Sequence, residues 1–176
     1  MPEDQLKESE SPAVIHAASI LNNALRARIA DFLADYVHAI DDDRLEEWSS
    51  FFTDDAVYHI TTRESDEAGL PIGIMHCRGR GMLEDRILAL RTANVFEPHT
   101  YSHLLGATRL VDQGDGIITA RTNFTVTRTM QDGGGDAFAI GKYLDEIVVE
   151  GEALAFRSRR VVLESRRVDV LLVIPL

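Results

Sequence analysis

Two histidines and a carboxylate lie close together in the second half of the chain, at Glu97, His99 and His103. These are the donor types of a two-histidine, one-carboxylate iron site. The hydrophobic pattern around them predicts a strand, in which positions i and i+4 lie about 13 Å apart. Two imidazoles at that separation cannot share one metal ion. We therefore expect no metal site in this chain, and we expect His103 to serve hydrogen bonding at a strand edge or a subunit contact.

A second group of side chains that can exchange protons consists of Asp55, Tyr58, His59 and His76. Proton-transfer enzymes place such groups in pairs within a closed apolar pocket. If the chain is a stand-alone enzyme, these four residues are the candidates to line its pocket. The structural interpretation, which we favour, is that Asp55 starts a strand and that Tyr58 fills the core with its hydroxyl hydrogen-bonded.

Arginines are concentrated near the end of a chain whose formal charge is −11. They are Arg157, Arg159, Arg160, Arg166 and Arg167. The cluster could bind an anion, pair on a solvated strand face with acids such as Asp145 and Glu146, or meet carboxylates across a subunit interface. We favour the interface, because planar bidentate pairing suits arginine. The residues predicted to contribute are Tyr101, His103, Arg157, Arg159 and Arg160.

Several kinds of chemistry are excluded by composition. One cysteine, Cys77, cannot supply a Rieske centre, which needs two cysteines and two histidines, or a four-cysteine cluster. The chain has no glycine-rich phosphate loop and no Gly-x-Ser-x-Gly motif, so we expect no nucleotide, flavin or nucleophilic serine site. The acidic balance disfavours nucleic acid, and no apolar run is long enough to span a membrane. The unpaired cysteine and the lack of a signal peptide predict a cytoplasmic location.

Helices are predicted in the first half of the chain. Apolar residues recur every three or four positions from Leu25 to Ile40, which predicts a long helix that ends at Asp41 to Asp43. Asp43 and Glu46 are expected to cap a short second helix, and a third is expected between Met82 and Val95. Ser11 and Pro12 are expected to open an earlier helix, so residues 1–11 are predicted to be a flexible tail.

Strands are predicted at Ala56 to Thr62 and, after Pro98, in four long segments separated by Asp/Gly-rich turns. The four segments are residues 101–111, 117–130, 137–149 and 154–163. In the second segment apolar and small residues alternate with polar ones, Arg121 among them, which predicts one buried and one polar face. Residues 63–71, after the first strand, are predicted to be a polar loop. This order predicts one α+β domain over residues 12–176, in which helices lie on a strongly curved antiparallel sheet. The apolar run VDVLLVIPL, residues 168–176, is too hydrophobic for a loose tail. We expect it to be buried in its own domain or against a neighbouring subunit.

The chain resembles the small (beta) subunits of Rieske-type aromatic-ring-hydroxylating dioxygenases. The residues that carry the resemblance are, in order, 45–48 (LEEW), 52–55 (FTDD), Tyr58, 83–87 (LEDRI), Pro98, Tyr101, 103–104 (HL), 143–145 (YLD) and 159–163 (RRVVL). The segments GLPIGIM and ANVFEPHTYSHLLG are most similar to members that act on aromatic acids, of the terephthalate and salicylate types. The resemblance spans roughly residues 25 to 176.

The resemblance implies a cone-shaped fold like that of nuclear transport factor 2 and a non-catalytic, structural role. It also implies assembly with a large (alpha) subunit as three large plus three small chains, with the small chains as a trimer. The large subunit would carry the Rieske cluster and mononuclear iron, and electrons would come from NAD(P)H through a reductase. The alternatives left open are a stand-alone cone-fold dehydratase, isomerase or hydrolase with its own pocket, and a binding module without chemistry.

Overall fold

A computed structural model describes residues 21–71, 73–93, 96–165, 172 and 174–176. The predicted tail at residues 1–11 and the helix predicted to open at Ser11 and Pro12 lie outside these residues. So do Arg166, Arg167 and Val95.

The helices lie in the first half of the described chain, as predicted. They are α1 (Asn23–Asp41), a 3₁₀ helix (Leu45–Phe51), α2 (Arg63–Glu67) and α3 (Arg80–Thr92). The Asn22 side chain caps α1 by accepting from the Leu25 N–H. Helix α1 ends at Asp41, and Asp43 takes a positive φ of 56° that turns the chain. None of the helices formed by the described residues is long and apolar enough to span a membrane.

Six strands of the described chain form one sheet. They are β1 (Phe52–Thr62), β2 (Met75–Arg78), β3 (His99–Gly114), β4 (Ile117–Met130), β5 (Gly135–Glu150) and β6 (Ala153–Leu163). Their order is β2-β1-β6-β5-β4-β3, and β2 and β3 form the two edges, so the curved sheet does not close. The four long strands form the predicted antiparallel meander. Strand β1 lies next to β6 in parallel, whereas an antiparallel sheet was predicted.

The core lies between the helices and one face of this sheet. In β4, Ile118, Ala120, Thr122, Phe124 and Val126 are buried while the side chains between them are wholly or partly exposed, which confirms the predicted alternation. Helix α1 contributes Ile29, Leu33 and other residues of the predicted stripe. Many side chains on the opposite, outer face of the sheet are exposed. On this face Asp66 of α2 approaches Arg160.

The apolar run near residue 176 is buried in its own domain where it is described. Leu172, Ile174 and Leu176 belong to the core, and Leu176 has no accessible surface. The Arg86 guanidinium on α3 donates to the Leu172 carbonyl at 2.8 Å. The run was predicted to be buried either in its own domain or against a neighbouring subunit, and for these residues the first prediction is correct. They fill the core and do not add a strand to the sheet.

Two local predictions were wrong. The residue at the start of the 3₁₀ helix is Arg44, without a side-chain cap, and the carboxylates of Asp43 and Glu46 instead bind the Arg91 guanidinium on α3. An ion pair between two elements thus replaces the predicted local cap. The segment after β1, predicted as a polar loop, begins with the short helix α2, whose first turn the Thr62 hydroxyl caps by accepting from the Ser65 N–H.

Candidate functional site

A buried ion pair lies at the centre of the domain. Arg159 on β6 donates to the Asp145 carboxylate on β5 through Nε and Nη2, at 2.9 and 2.8 Å, and both side chains are essentially inaccessible. The strands bring them together because Asp145 and Arg159 are register partners. The guanidinium carbon lies 4.0, 4.2 and 3.9 Å from the ring centres of Tyr36, Tyr143 and Phe156. The charge is therefore held by a bidentate carboxylate and three aromatic faces.

Burial and pairing compete in setting the ionisation of this pair. Burial opposes the Arg159 charge, but the Asp145 carboxylate outweighs it and raises the pKa of Arg159 above its usual value. Burial raises the pKa of Asp145, and the Arg159 guanidinium opposes that rise. Burial also raises the pKa of the two tyrosines beside the pair, Tyr36 and Tyr143, so their phenols stay protonated. The arrangement has the character of a structural support for the core.

The remaining space beside the pair is occupied by the end of the described chain. The Tyr36 and Tyr58 hydroxyls each donate to the Leu176 carbonyl oxygen at 2.9 Å. Trp48 Nε1 donates to the Tyr36 oxygen at 2.9 Å. Cone-fold enzymes hold their reacting groups between sheet and helices. In this chain Leu172, Ile174 and Leu176 fill part of that region.

The structure corrects the prediction that Arg159 is a subunit-interface residue. Its side chain is 1% exposed, so it cannot contact a partner in this conformation. The structure instead contains the alternative prediction, in which these arginines pair with acids on the neighbouring strand. Arg159 pairs with Asp145, and Arg157 pairs with Glu146 at 2.9 Å. Arg157 and Arg160 are exposed, and Arg160 approaches Asp66 at 3.3 Å. These two remain candidates for an interface.

Tyr101 and His103, also predicted to lie at an interface, point inward. His103 Nδ1 bonds with the Asp41 carboxylate at 2.5 Å, and the His103 backbone N–H donates to the other Asp41 oxygen at 2.7 Å. The His103 side chain is inaccessible and Tyr101 is 6% exposed, stacked on Phe138. For these two side chains the interface prediction is wrong, because their strand face packs toward α1. The predicted hydrogen-bonding role of His103 is confirmed: it ties the end of α1 to β3.

The histidines of β3 do not converge on a common point. His99 Nδ1 lies 2.7 Å from the Glu97 carbonyl oxygen, while His103 Nδ1 is taken by Asp41. Among the residues that the structure describes, no group of three His, Cys, Asp or Glu side chains could hold a metal ion.

The four residues proposed for a stand-alone pocket do not form one. Tyr58 is fully buried on the inner face of β1, whereas His59 is on the outer face, since side chains alternate along a strand. His59 and His76 are register partners with ring centres 5.1 Å apart. Asp55 is exposed and accepts from the Thr53 hydroxyl. The pKa of His59 is lowered by burial, by His76 and by Arg160, so the neutral imidazole is favoured.

A hollow of about 530 Å³ lies on the outer face of the sheet, opposite the core. Its lining includes His59, Arg160, Arg121 and Arg109, one from each of four strands, and Leu144 on β5 lies between Arg160 and Arg121. The strand registers place these five side chains in a single transverse row. We call His59, Arg160, Arg121 and Arg109 the basic row. Sequence reasoning placed Arg121 on a polar strand face but missed the row, because the register between strands is not visible in the order of residues.

Comparison with known proteins identifies related chains over most of the sequence. Residues 23–160 match the family described as the SnoaL-like domain. The small subunit of anthranilate 1,2-dioxygenase from Burkholderia cepacia is 39% identical over 80% of this chain and 88% of its own. Beta subunit 2 of the terminal oxygenase component of terephthalate 1,2-dioxygenase from Comamonas sp. is also 39% identical, over 85% of this chain and 97% of its own.

A solved structure gives the same result for the fold. The beta subunit assigned to an aromatic-ring-hydroxylating dioxygenase from Novosphingobium aromaticivorans superposes with a TM-score of 0.78 and 34% identity. The match covers 86% of this chain and 95% of that one. The predicted α+β cone fold is therefore confirmed.

Proposed function

Because the chain belongs to the SnoaL-like small (beta) subunits of aromatic-ring-hydroxylating dioxygenases, we propose that it is the structural small subunit of such an oxygenase. The observation that carries the proposal is the 39% identity shared with two such subunits across 88% and 97% of their lengths. Similarity over nearly whole chains, with no large segment left over in the relatives, supports the same role in an assembly. The stand-alone enzyme is the weaker alternative.

The interior of the domain supports a structural role. A cone-fold enzyme needs a cavity in which a polar pair can meet a substrate. Here the buried polar pair, Arg159 and Asp145, is joined by mutual bidentate bonding and covered by aromatic rings, and only Nη1 of the guanidinium has no hydrogen-bond partner among the described residues. Leu176 lies beside it on the Tyr36 and Tyr58 hydroxyls. Tight packing of this kind makes a stable support for partner subunits.

The proposal places the redox groups in the partner chain. The sequence contains one cysteine, so it does not fit a Rieske centre, and the described side chains offer no cluster for mononuclear iron. We propose that a large subunit carries both, and that electrons reach them from NAD(P)H through a reductase. We further propose an assembly of three large and three small subunits, located in the cytoplasm, in which the small subunits hold the large ones in register.

An aromatic acid is the proposed substrate class of the whole oxygenase. The two relatives with the highest identity described above are named for anthranilate and terephthalate, which are both aromatic carboxylates. The small subunit would affect turnover of such a substrate through the geometry of the assembly and not through a group that touches it.

Co-expression with a candidate large subunit tests the proposal. We expect the two chains to co-purify, native mass spectrometry to give a hexamer, and oxygen uptake with an aromatic acid plus reductase to need both chains. A small subunit that forms its own oligomer and never binds the large chain would contradict the proposed function. Activity of the small subunit alone on a small molecule would support the stand-alone enzyme instead.

A further inference from the structure

Two arginines lie side by side on neighbouring strands, and neither is paired with an acid. Arg109 on β3 and Arg121 on β4 are register partners, and both are exposed on the outer face. Neither guanidinium has an ion-pair or hydrogen-bond partner among the residues that the structure describes, although the chain carries a net charge of −11. Like charges directly opposite each other destabilise a strand pair. A pair of this kind becomes favourable when a negative group binds over both arginines.

The positive charge extends beyond this pair along the basic row as far as Arg160, and His59, whose lowered pKa favours the neutral imidazole, ends the row. From Arg121 the row passes through Leu144 to Arg160 and then to His59. Adjacent strands are about 4.8 Å apart, so the four steps from β3 to β1 span about 19 Å. That length exceeds a single-ring aromatic acid and suits a segment of polypeptide. Two acids lie nearby: Asp66 is 3.3 Å from Arg160, and Glu146 lines the same hollow but pairs with Arg157.

Exposed apolar side chains lie beside the basic row. Leu104 is 72% exposed and Ile140 is 52% exposed, and both are register partners of Thr125. They line a second hollow of about 420 Å³, which also includes Arg121. Large apolar side chains next to arginine are typical of the buried centre of a protein interface. The two hollows therefore form one surface with an apolar part and a cationic part.

We propose that this surface, the basic row together with Leu104 and Ile140, is the docking site for an acidic segment of the large subunit. The inference rests on the proposed function and specifies where the partner binds. Carboxylates of the segment lie over Arg109 and Arg121, and its apolar side chains cover Leu104 and Ile140. We commit to the large subunit because the proposed function requires a contact with it. A contact between copies of this chain is a separate outcome of the test.

The test is the double charge reversal Arg109→Glu with Arg121→Glu, titrated against the purified large subunit. The double variant keeps a like-charge pair on the sheet, so its own fold is perturbed little. We expect its affinity for the large subunit to fall at least about tenfold, with a weaker salt dependence of the association rate than wild type. The matched control is Arg26→Glu with Arg44→Glu, which changes the charge equally at two exposed positions, one on α1 and one just before the 3₁₀ helix. Its affinity should stay within about twofold of wild type.

A single reversal separates binding from stability. Arg109→Glu alone creates an ion pair with Arg121, so we expect the isolated small subunit to melt at a slightly higher temperature while it binds the large subunit more weakly. A purely structural role of the arginines would not move the two readouts in opposite directions.

Three results would overturn the inference, and they are distinguishable. Unchanged affinity of the double variant, while wild type and control assemble normally, would mean that the large subunit binds elsewhere. Loss of a small-subunit oligomer in the double variant, with large-subunit affinity unchanged, would identify the surface as a contact between copies. Failure of wild type itself to bind the large subunit would overturn the proposed function, and this inference with it.

Discussion

Tyr58 and Leu176 exchange two hydrogen bonds in the core, although 118 positions separate them in the chain. The Tyr58 hydroxyl donates to the Leu176 carbonyl oxygen at 2.9 Å and accepts from the Leu176 N–H at 3.0 Å. Both residues have no accessible surface. Burial raises the pKa of Tyr58 well above its usual value, which keeps the hydroxyl protonated and able to donate. One side chain thus satisfies both backbone groups of the buried segment.

Replacing Tyr58 by Phe should therefore destabilise the small subunit. The Leu176 N–H loses its acceptor inside the core, and its carbonyl loses one of two donors, at a cost of about 1–3 kcal/mol in the free energy of unfolding. Urea unfolding followed by the fluorescence of the single buried Trp48 measures this change. The control is Tyr143→Phe, because that buried hydroxyl has no partner among the described residues. We expect the control to be neutral or stabilising, and equal losses in both variants would contradict the assigned role of Tyr58.

Breaking the central ion pair should have a larger effect. In Asp145→Asn the Arg159 charge remains buried without a carboxylate, and we expect a loss of about 3–5 kcal/mol in the free energy of unfolding. The double variant Asp145→Leu with Arg159→Met removes both charges and keeps the apolar volume, so it should be closer to wild type than the single variant is. The midpoints of urea unfolding of wild type, the single variant and the double variant measure these differences in stability. A single variant as stable as wild type would show that the pair is not an essential part of the core.

Asp41 should act as a clamp between α1 and β3. Its two oxygens accept from the backbone N–H and the Nδ1 of His103, so Asp41→Ala leaves two buried groups without that partner. We expect a loss of about 1–3 kcal/mol in the free energy of unfolding and faster amide exchange at the end of α1. The control is Asp31→Ala, an exposed position on the same helix. If both substitutions cost the same, the clamp contributes nothing specific.

His59 should make the stability of the small subunit depend on pH. Burial, His76 and Arg160 lower the pKa of His59 in the folded state, while Asp66 acts in the opposite direction. The unfolded chain therefore binds the proton more readily. The contribution of neutral His59 to the free energy of unfolding is therefore fully present above pH 6.5, the pKa of the unfolded chain. It is lost as the pH falls through the lower pKa of the folded state.

Melting temperatures at about pH 8 and about pH 5.5 test this expectation. Wild type should lose more stability over this range than His59→Gln does. His38→Gln, on the exposed side of α1, serves as the control and should behave as wild type. The same pH dependence in wild type and His59→Gln would contradict the predicted linkage.

Much of the fold was predictable because it depends on local pattern. The stripe from Leu25 to Ile40 predicted α1, and alternation predicted β4 together with its buried face. Predictions failed where a distant partner outweighed a local preference. Asp43 and Glu46 bind Arg91, 48 and 45 positions away, instead of capping the nearby helix. The parallel contact of β1 with β6 likewise joins two strands whose pairing no turn specifies.

The sequence by itself determined the α+β class, the helices and the strand meander, since each follows from residue type and spacing along the chain. The family resemblance also came from the ordered motifs. Only the tertiary structure decided which arginines are exposed. Arg159 and Arg160 are neighbours in sequence, yet one is buried against Asp145 and the other belongs to the basic row. Side chains on a strand alternate between faces, but which face is covered and which residues share a row depend on the register and packing of other strands.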